Sequence, residues 1–326
     1  MGKILIVSNI IDPHSDAVIN EIINKDSIFR FNTDELLNEF SLEFFTDENI
    51  NSSKLINPIG RSLNIEEVST IYYRRPEQPK INISSPFNKV LISEAWSSFF
   101  HLLYSNYNKQ WLGHPHLDKY ASSRVVQLNT ANKVGWKIPP TLISKDPKKI
   151  RQFSNQHKVL AIKPLGEKGS EIDGQWTPYF TSLVNSDEII AKSDNEIGAT
   201  YNYLQAYIEK NNEWRITVIG DEVFPCVIYS QENEDSKIDW RTAHFNSVRH
   251  EKAEISNKFK NQLIQYLNYL KIPFGAFDFI LTPENEFVFL ECNPNGQWLW
   301  IEDLTGFKIS KSIANWLEKM NNERTS

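Results

Sequence analysis

The chain has 326 residues, 40% of them hydrophobic and 23% charged, a globular balance that excludes wholesale disorder and leaves room for more than one domain of about 100–200 residues. Lys and Arg number 35 against 41 Asp and Glu, a net charge of −6 with no long basic run, which argues against a nucleic-acid footprint. Two cysteines, Cys226 and Cys292, are too few for a disulfide framework or a Cys-based zinc site and suit a reducing cytoplasm.

Residues 3–7, a lysine and four apolar residues, read as a buried first strand rather than a signal peptide, because polar Ser8 and Asn9 follow at once. Ala17, Val18, Ile22 and Ile23 recur at helical spacing over 15–23. Short β-type runs follow at 28–31, 42–45 and 70–73, with Asn, Ser, Asp and Pro between them as breakers. A helix is predicted over 88–104, and residues 111–115 read as the exit loop of this first α/β unit, where a domain boundary is placed. Beyond it a single helix is predicted over 118–134, stopped by Gly135 and by Pro139-Pro140. Strands at 159–163 and 203–209 flank a loop with Gly166, Gly169 and Gly174, and a hairpin of 215–218 and 223–228 turns about Gly220-Asp221. A helix over 256–270, two strands at 276–281 and 287–293, and a helix over 308–320 close the chain. No run reaches the roughly 20 apolar residues of a bilayer span.

The two closing strands carry the chemistry. Side chains alternate along a strand, so Glu291 and Asn293 share one face while Cys292 points away. Folding the hairpin about Glu284 brings Asp278 opposite residue 290 or 291, according to register, and so into an oxygen cluster with Glu291 and Asn293. Taken singly such carboxylates are ordinarily solvated. On two strongly apolar strands they need a cation or a hydrogen-bond partner. Mg²⁺, typically held by one or two carboxylates plus substrate phosphates, fits that set.

In this hairpin the chain resembles the ATP-grasp superfamily. Glu291-Cys292-Asn293-Pro294-Asn295-Gly296-Gln297-Trp298 with Trp300-Ile301-Glu302, together with Tyr72-Tyr73-Arg74-Arg75-Pro76, narrows the resemblance to the graspetide synthetases, microviridin-type ligases that macrocyclise ribosomal precursor peptides. The resemblance runs over essentially the whole chain. It implies an α/β ATP-grasp fold with a small N-terminal pre-ATP-grasp domain (1–113), a central subdomain (114–200) and a C-terminal subdomain bearing the magnesium site (201–326). It implies ATP and Mg²⁺ as cofactors, with Asp278, Glu291 and Asn293 as metal ligands and Lys163 as the lysine that reaches phosphate and adenine. Residues 166–170 resemble the loop that closes over the triphosphate. Arg124 stands, by spacing, where the family has its other nucleotide-facing lysine, a departure that changes an ammonium for a planar fork, with Lys119 and Lys133 nearby.

The run Leu204-Gln205-Ala206-Tyr207-Ile208-Glu209-Lys210 resembles the adenine hinge, with the backbone of Tyr207 and Ile208 reading the base and Glu209 or Lys210 meeting the ribose. Arg215 and Arg241 stand where family arginines meet the γ-phosphate or the substrate carboxylate, and a guanidinium can hold two oxygens at once. The implied reaction activates a core Asp or Glu of a precursor peptide as an acyl phosphate, attacked by a Thr/Ser hydroxyl or a Lys amine to give an ω-ester or ω-amide. The implied partner is that peptide, leader plus core, bound by a homodimer; nucleic acid and membrane have no part. Two other readings are a ligase that adds an amino acid to a protein tail or small carboxylic acid, and a non-catalytic nucleotide- or peptide-binding scaffold. His114-Pro115-His116 lacks a third metal ligand nearby. Cys292, turned from the metal face and without a His partner, is not read as a nucleophile. The nine tryptophans, Trp298 and Trp300 included, are read mainly as core or interface residues.

Overall fold

The computed structural model describes residues 2–35, 40–48, 51–77, 81, 85–104, 109–165, 169–172, 175–178, 181–238, 240 and 247–323. The first part of the chain folds as β1 (Lys3–Ser8), α1 (Pro13–Glu21), β2 (Ile28–Asn32), β3 (Ser41–Thr46), β4 (Asn51–Ile56), β5 (Ser62–Asn64), β6 (Val68–Tyr73), α2 (Pro86–Tyr104) and β7 (Gln110–Leu112). Strands β2-β1-β6-β7 form a parallel sheet and β3-β4-β5 a separate antiparallel one. The unbroken apolar run of β1 follows from cover on both faces: Ile4 and Ile6 pack with Val18 of α1 on one side, and Leu5 and Val7 with Phe29, Leu55 and Phe100 on the other. Trp111 and Leu112, read from sequence as loop, are the last strand of this sheet.

The single helix expected over 118–134 is two, α3 (Pro115–Ala121) and α4 (Arg124–Lys133). Ser123 between them is extended (φ −63, ψ 123), and serines compete with helix through their own polar side chains. The break makes Arg124 the first helical residue of α4. Gly135, at φ +80, ends that helix in the left-handed region where glycine carries no Cβ penalty, and Trp136 N–H closes the last turn on Ala131 O (3.0 Å).

The central part runs β8 (Thr141–Ser144), α5 (Pro147–Gln156), β9 (Val159–Lys163), β10 (Gly169–Ile172), β11 (Gln175–Pro178), β12 (Ser182–Asn185), α6 (Ser186–Ile190), α7 (Asp194–Gly198) and β13 (Asn202–Ala206). Its antiparallel sheet has the order β12-β9-β13-β8, and Ile150 of α5 packs there against Leu160, Ile189, Ile197 and Leu204. The strand expected over 203–209 stops at Ala206, and residues 207–210 leave the sheet as coil.

The last part comprises β14 (Asn212–Ile219), β15 (Glu222–Ile228), β16 (His250–Lys252), α8 (Asn257–Leu270), β17 (Phe274–Leu281), β18 (Phe287–Asn293), α9 (Leu299–Thr305) and α10 (Ile309–Glu323). The sheet order is β16-β15-β14-β17-β18, all antiparallel. Trp136 anchors its core, stacked on Tyr266 and Phe289 and edge-on to Phe277 and Phe279. Strand β18 lies at the sheet edge, where unpaired backbone groups would be costly. Gln127 of α4 covers it: its Nε2 donates to Cys292 O (2.6 Å) and its Oε1 accepts from Cys292 N (3.2 Å). Among the described residues no helix is long and apolar enough to cross a membrane.

Candidate active site

A cavity of about 540 Å³ lies between the central sheet and the C-terminal sheet. Strand pairing sets Asp278 directly opposite Glu291 and Ala276 opposite Asn293, with a bulge between Asp278 and Phe279. Asp278, Glu291 and Asn293 all line the cavity, as alternation along β18 requires. The neighbouring strand brings Arg215 into register with Asp278, and its Nη1 meets both carboxylate oxygens at 2.7 and 2.8 Å. From the start of α4, Arg124 forms an ion pair with Glu291. These groups are largely buried, with side-chain exposures of 12% for Arg124 and 19% for Glu291, where charges persist only when paired. Burial works against the Arg124 charge, and the Glu291 carboxylate overcomes it and holds the guanidinium above its usual range.

Lys163, at the end of β9, lines the same cavity. Tyr203 lies opposite it on β13; burial pushes its phenol up to about 12, Arg124 working against this and Glu291 adding to it, so the hydroxyl stays protonated at neutral pH. Gln205 is 1% exposed and its Nε2 donates to Thr141 Oγ1 (3.0 Å), while its Oε1 finds no partner among the described residues. A buried amide oxygen on a cavity wall without a donor is what an amino-bearing heterocycle would satisfy. Tyr207 N–H already donates to Val159 O (3.0 Å), so of the two expected hinge residues Ile208 is the one left to donate; both line the cavity. Lys210 also lines it, held by Glu213 (2.7 Å) and Ile238 O (3.1 Å), whereas Glu209 is exposed and lies off the cavity. Arg241 and residues 166–168 lie outside the described residues.

Among the described residues no group of three or more His, Cys, Asp or Glu converges as a metal cage. The hard-oxygen set here is two carboxylates and an asparagine, and the Asn293 Oδ1 accepts from Asn295 N (3.2 Å). Such a set suits Mg²⁺ with phosphate oxygens completing the shell rather than a self-sufficient protein site. His114 caps α3, its Nδ1 accepting from His116 N (3.2 Å). Burial, with Asp278 adding, pushes the Cys292 thiol well above its ordinary value, which leaves it inert.

Sequence reasoning missed several residues of the cavity wall. Trp300, read as a core or interface residue, lines it, its ring 4.9 Å from Trp240 and 6.0 Å from the Arg215 guanidinium. Arg75, Glu213 and Gln297 line it too. Arg75 and Gln297 belong to motifs already singled out, so their signal was on hand; for Trp240 there was none. The two motifs in fact meet. Arg74, 2% exposed, donates to Asn295 O (2.7 Å) and to its side-chain oxygen, and Asn295 Nδ2 returns a bond to Arg74 O (2.5 Å). Gly296 packs so close there that a Cβ would come within 2.5 Å of that of Ala276.

Known proteins match over this same framework. The MvdD pre-ATP-grasp domain family matches residues 3–120, and the ATP-grasp domain family of prokaryotic glutathione synthetase matches 129–268. No curated protein matches the sequence. Among solved structures, an ATP-grasp ligase of Chryseobacterium gregarium associated with ribosomally made peptides, in complex with ADP and a leader and core peptide, is 29% identical; the match covers 98% of this chain and 97% of that one with a TM-score of 0.88. The macrocyclase MdnB of Microcystis aeruginosa MRC is 25% identical over 97% of this chain and 99% of its own, with a TM-score of 0.76. The macrocyclase MdnC of the same organism, bound with its precursor peptide MdnA, shares the fold at 23% identity and a TM-score of 0.83, over 97% and 99% of the two chains. The pre-ATP-grasp match over 3–120 and the ATP-grasp match over 129–268, with the hairpin and the paired arginines in one cavity, make the chain an ATP-grasp ligase that is similar to the graspetide synthetases.

Proposed function

We propose that the protein is an ATP- and Mg²⁺-dependent macrocyclase of a ribosomally made precursor peptide. In this reading Asp278, Glu291 and Asn293 hold magnesium, Gln205, Tyr207, Ile208 and Lys210 hold the nucleoside, and Lys163, Arg124, Arg215 and Arg241 face the phosphates and the carboxylate. The observation that carries the reading is the convergence on one cavity of the oxygen set, the Lys163 ammonium and the buried Gln205 oxygen that lacks a donor. The Chryseobacterium ligase, crystallised with ADP and a leader and core peptide, supports a peptide as the partner. The reading goes with a cytoplasmic homodimer divided as 1–113, 114–200 and 201–326.

A carboxylate resists attack because electrons must be added to a resonance-stabilised anion. Magnesium, when bound, would draw charge from the β- and γ-phosphate oxygens. The protein supplies the rest. One oxygen of a core Asp or Glu attacks the γ-phosphorus, the bond to the β-phosphate oxygen breaks, and ADP leaves. A hydroxyl or amine of the same peptide then attacks the acyl carbon, loses a proton and expels inorganic phosphate. Lys163 and the arginines oppose the negative charge of the transferring group. Until metal and nucleotide bind, Glu291 and Asp278 pair with Arg124 and Arg215, so no buried charge is stranded; carboxylates that turned to magnesium would leave the guanidiniums to the phosphates. Holding both reacting groups of one peptide corresponds to effective molarities of about 10⁵–10⁸ M, and no enzyme nucleophile is needed. Intact-mass measurement of a candidate precursor after incubation with protein, Mg²⁺ and ATP tests this. Loss of one water or a multiple is expected; a gain equal to an added residue, or ADP release with an unchanged peptide, refutes it.

A further inference from the structure

A second cavity of about 450 Å³ lies beside the first, lined by Asn9, His14, Glu77, Leu299 and Asp303 among others. The two share three residues, Arg75, Gln297 and Trp300, which form a common wall. We propose that Arg75 binds the carboxylate that receives the γ-phosphate, at this shared wall, and that the smaller cavity receives the peptide segment carrying it. The inference deepens the macrocyclase reading and rests on it for the identity of the peptide.

Among the described residues three arginines line the larger cavity, and their charges differ in availability. Arg215 is held by Asp278 and Arg124 by Glu291. Arg75 has no carboxylate partner among the described residues. The Gln297 amide, oriented to satisfy its hydrogen bonds, sets a neutral oxygen 3.1 Å from both Arg75 Nη1 and Nη2. That fork is the donor pair a carboxylate takes bidentately, and a charged acceptor outcompetes a neutral amide for it. Its neighbour Arg74 is excluded by position: it is 2% exposed, lines neither cavity and gives its Nη1 to Asn295, its Nε and Nη2 staying buried without a partner among the described residues. Arg75 is exposed and free to exchange partners.

The smaller cavity is built for a peptide rather than a second phosphate. Its only guanidinium among the described residues is that of Arg75. Asp12 is satisfied by Ser8 and Ser15 (2.5 Å each) and Glu77 by Asn9 (3.1 Å), so these carboxylates are not seeking a metal. His14 is 7% exposed with its Nδ1 unpartnered, and burial with Arg74 beside it lowers its pKa to about 3, so it offers a neutral polar face. Asn9, neutral His14 and apolar Leu299 can meet a peptide's amides and side chains together.

The test is a binding measurement that does not depend on turnover. Saturation-transfer NMR follows N-acetylglutamate methylamide, in the presence of Mg²⁺ and a non-hydrolysable ATP analogue. Wild type should bind this probe, Arg75→Gln should bind it about 10- to 100-fold more weakly, as loss of a charged hydrogen-bond pair predicts, and Arg75→Lys should fall between. Affinity for the ATP analogue and the thermal midpoint should stay the same in both variants. Leu299→Trp, which fills the smaller cavity, should raise the KM for a peptide and leave that for ATP unchanged. Probe binding indifferent to Arg75, or a loss of analogue affinity with probe affinity intact, overturns the proposal, the latter making Arg75 a phosphate ligand. If probe binding depends on Arg75 but no peptide loses water, macrocyclisation falls and the carboxylate site stands; if rings form at the wild-type KM in Arg75→Gln, the reverse holds.

Discussion

Gln127→Leu should loosen strand β18 from outside the cavity. The amide of Gln127 is engaged with backbone throughout: Nε2 donates to Cys292 O (2.6 Å) and Ala121 O (2.9 Å), and Oε1 accepts from Cys292 N (3.2 Å). Leucine keeps most of the volume and removes all three bonds. Cys292 is 2% exposed, so water cannot replace the lost partners. Each buried backbone group left without one costs about 1–3 kcal/mol, so the two groups of Cys292 together predict a loss of about 2–6 kcal/mol. Since Cys292 lies between Glu291 and Asn293, the loss should appear first as local opening of β18. Amide exchange over residues 287–293 should accelerate by about a hundredfold, the equivalent of about 3 kcal/mol at 1.4 kcal/mol per decade. Gln127→Glu should be no better, because its carboxylate would face two carbonyl oxygens. Exchange over 287–293 within threefold of wild type, with an unchanged urea midpoint, would refute the argument that this side chain closes the sheet edge.

Other outcomes are expected. Glu291→Gln should cut ADP release by about a hundredfold or more while the protein stays folded, since it removes a charged oxygen from the phosphate site; ADP release at the wild-type rate removes Glu291 from the machinery. His14 has its pKa lowered from 6.5 to about 3, by burial first and then by Arg74. The unfolded chain therefore binds a proton between those values that the folded chain refuses, and stability should rise with pH across that window and level off above it. Urea midpoints at pH 5 and pH 7 should converge in His14→Gln; an unchanged gap would show that other groups set it. Cys226, pushed up to about 12 by burial, and Cys292, raised well above its ordinary value by burial first and then by its carboxylate neighbours, should resist a thiol reagent at pH 8 until urea is added. Rapid labelling of the native protein would contradict their burial.

The closing hairpin was legible because alternation on two apolar strands dictates which face a carboxylate takes. Only the register of Asp278 stayed open, and pairing with Glu291 resolves it. The break at Ser122-Ser123 was not legible, because apolar spacing continues through it; what parts the helices is the extended backbone of Ser123, from which α4 starts afresh at Arg124. Strand β4 was missed because Asn51-Ser52-Ser53-Lys54 has little β preference and is held by its partners. The ion pairs Arg124–Glu291 and Arg215–Asp278 span 167 and 63 residues, distances over which no periodicity speaks. Arg75 stood in a recognised motif, yet its role parts from that of Arg74 only in three dimensions, where Arg74 is buried against Asn295 and Arg75 is exposed beside Gln297.

The reciprocal clasp between Arg74 and Asn295 joins residues 221 positions apart in the chain. It fixes the first sheet against the turn that follows β18, so the wall a peptide would meet and the oxygens that would meet phosphate are aligned before either arrives. Breaking the clasp at Asn295 would therefore disturb both walls at once, although Asn295 itself lines neither cavity.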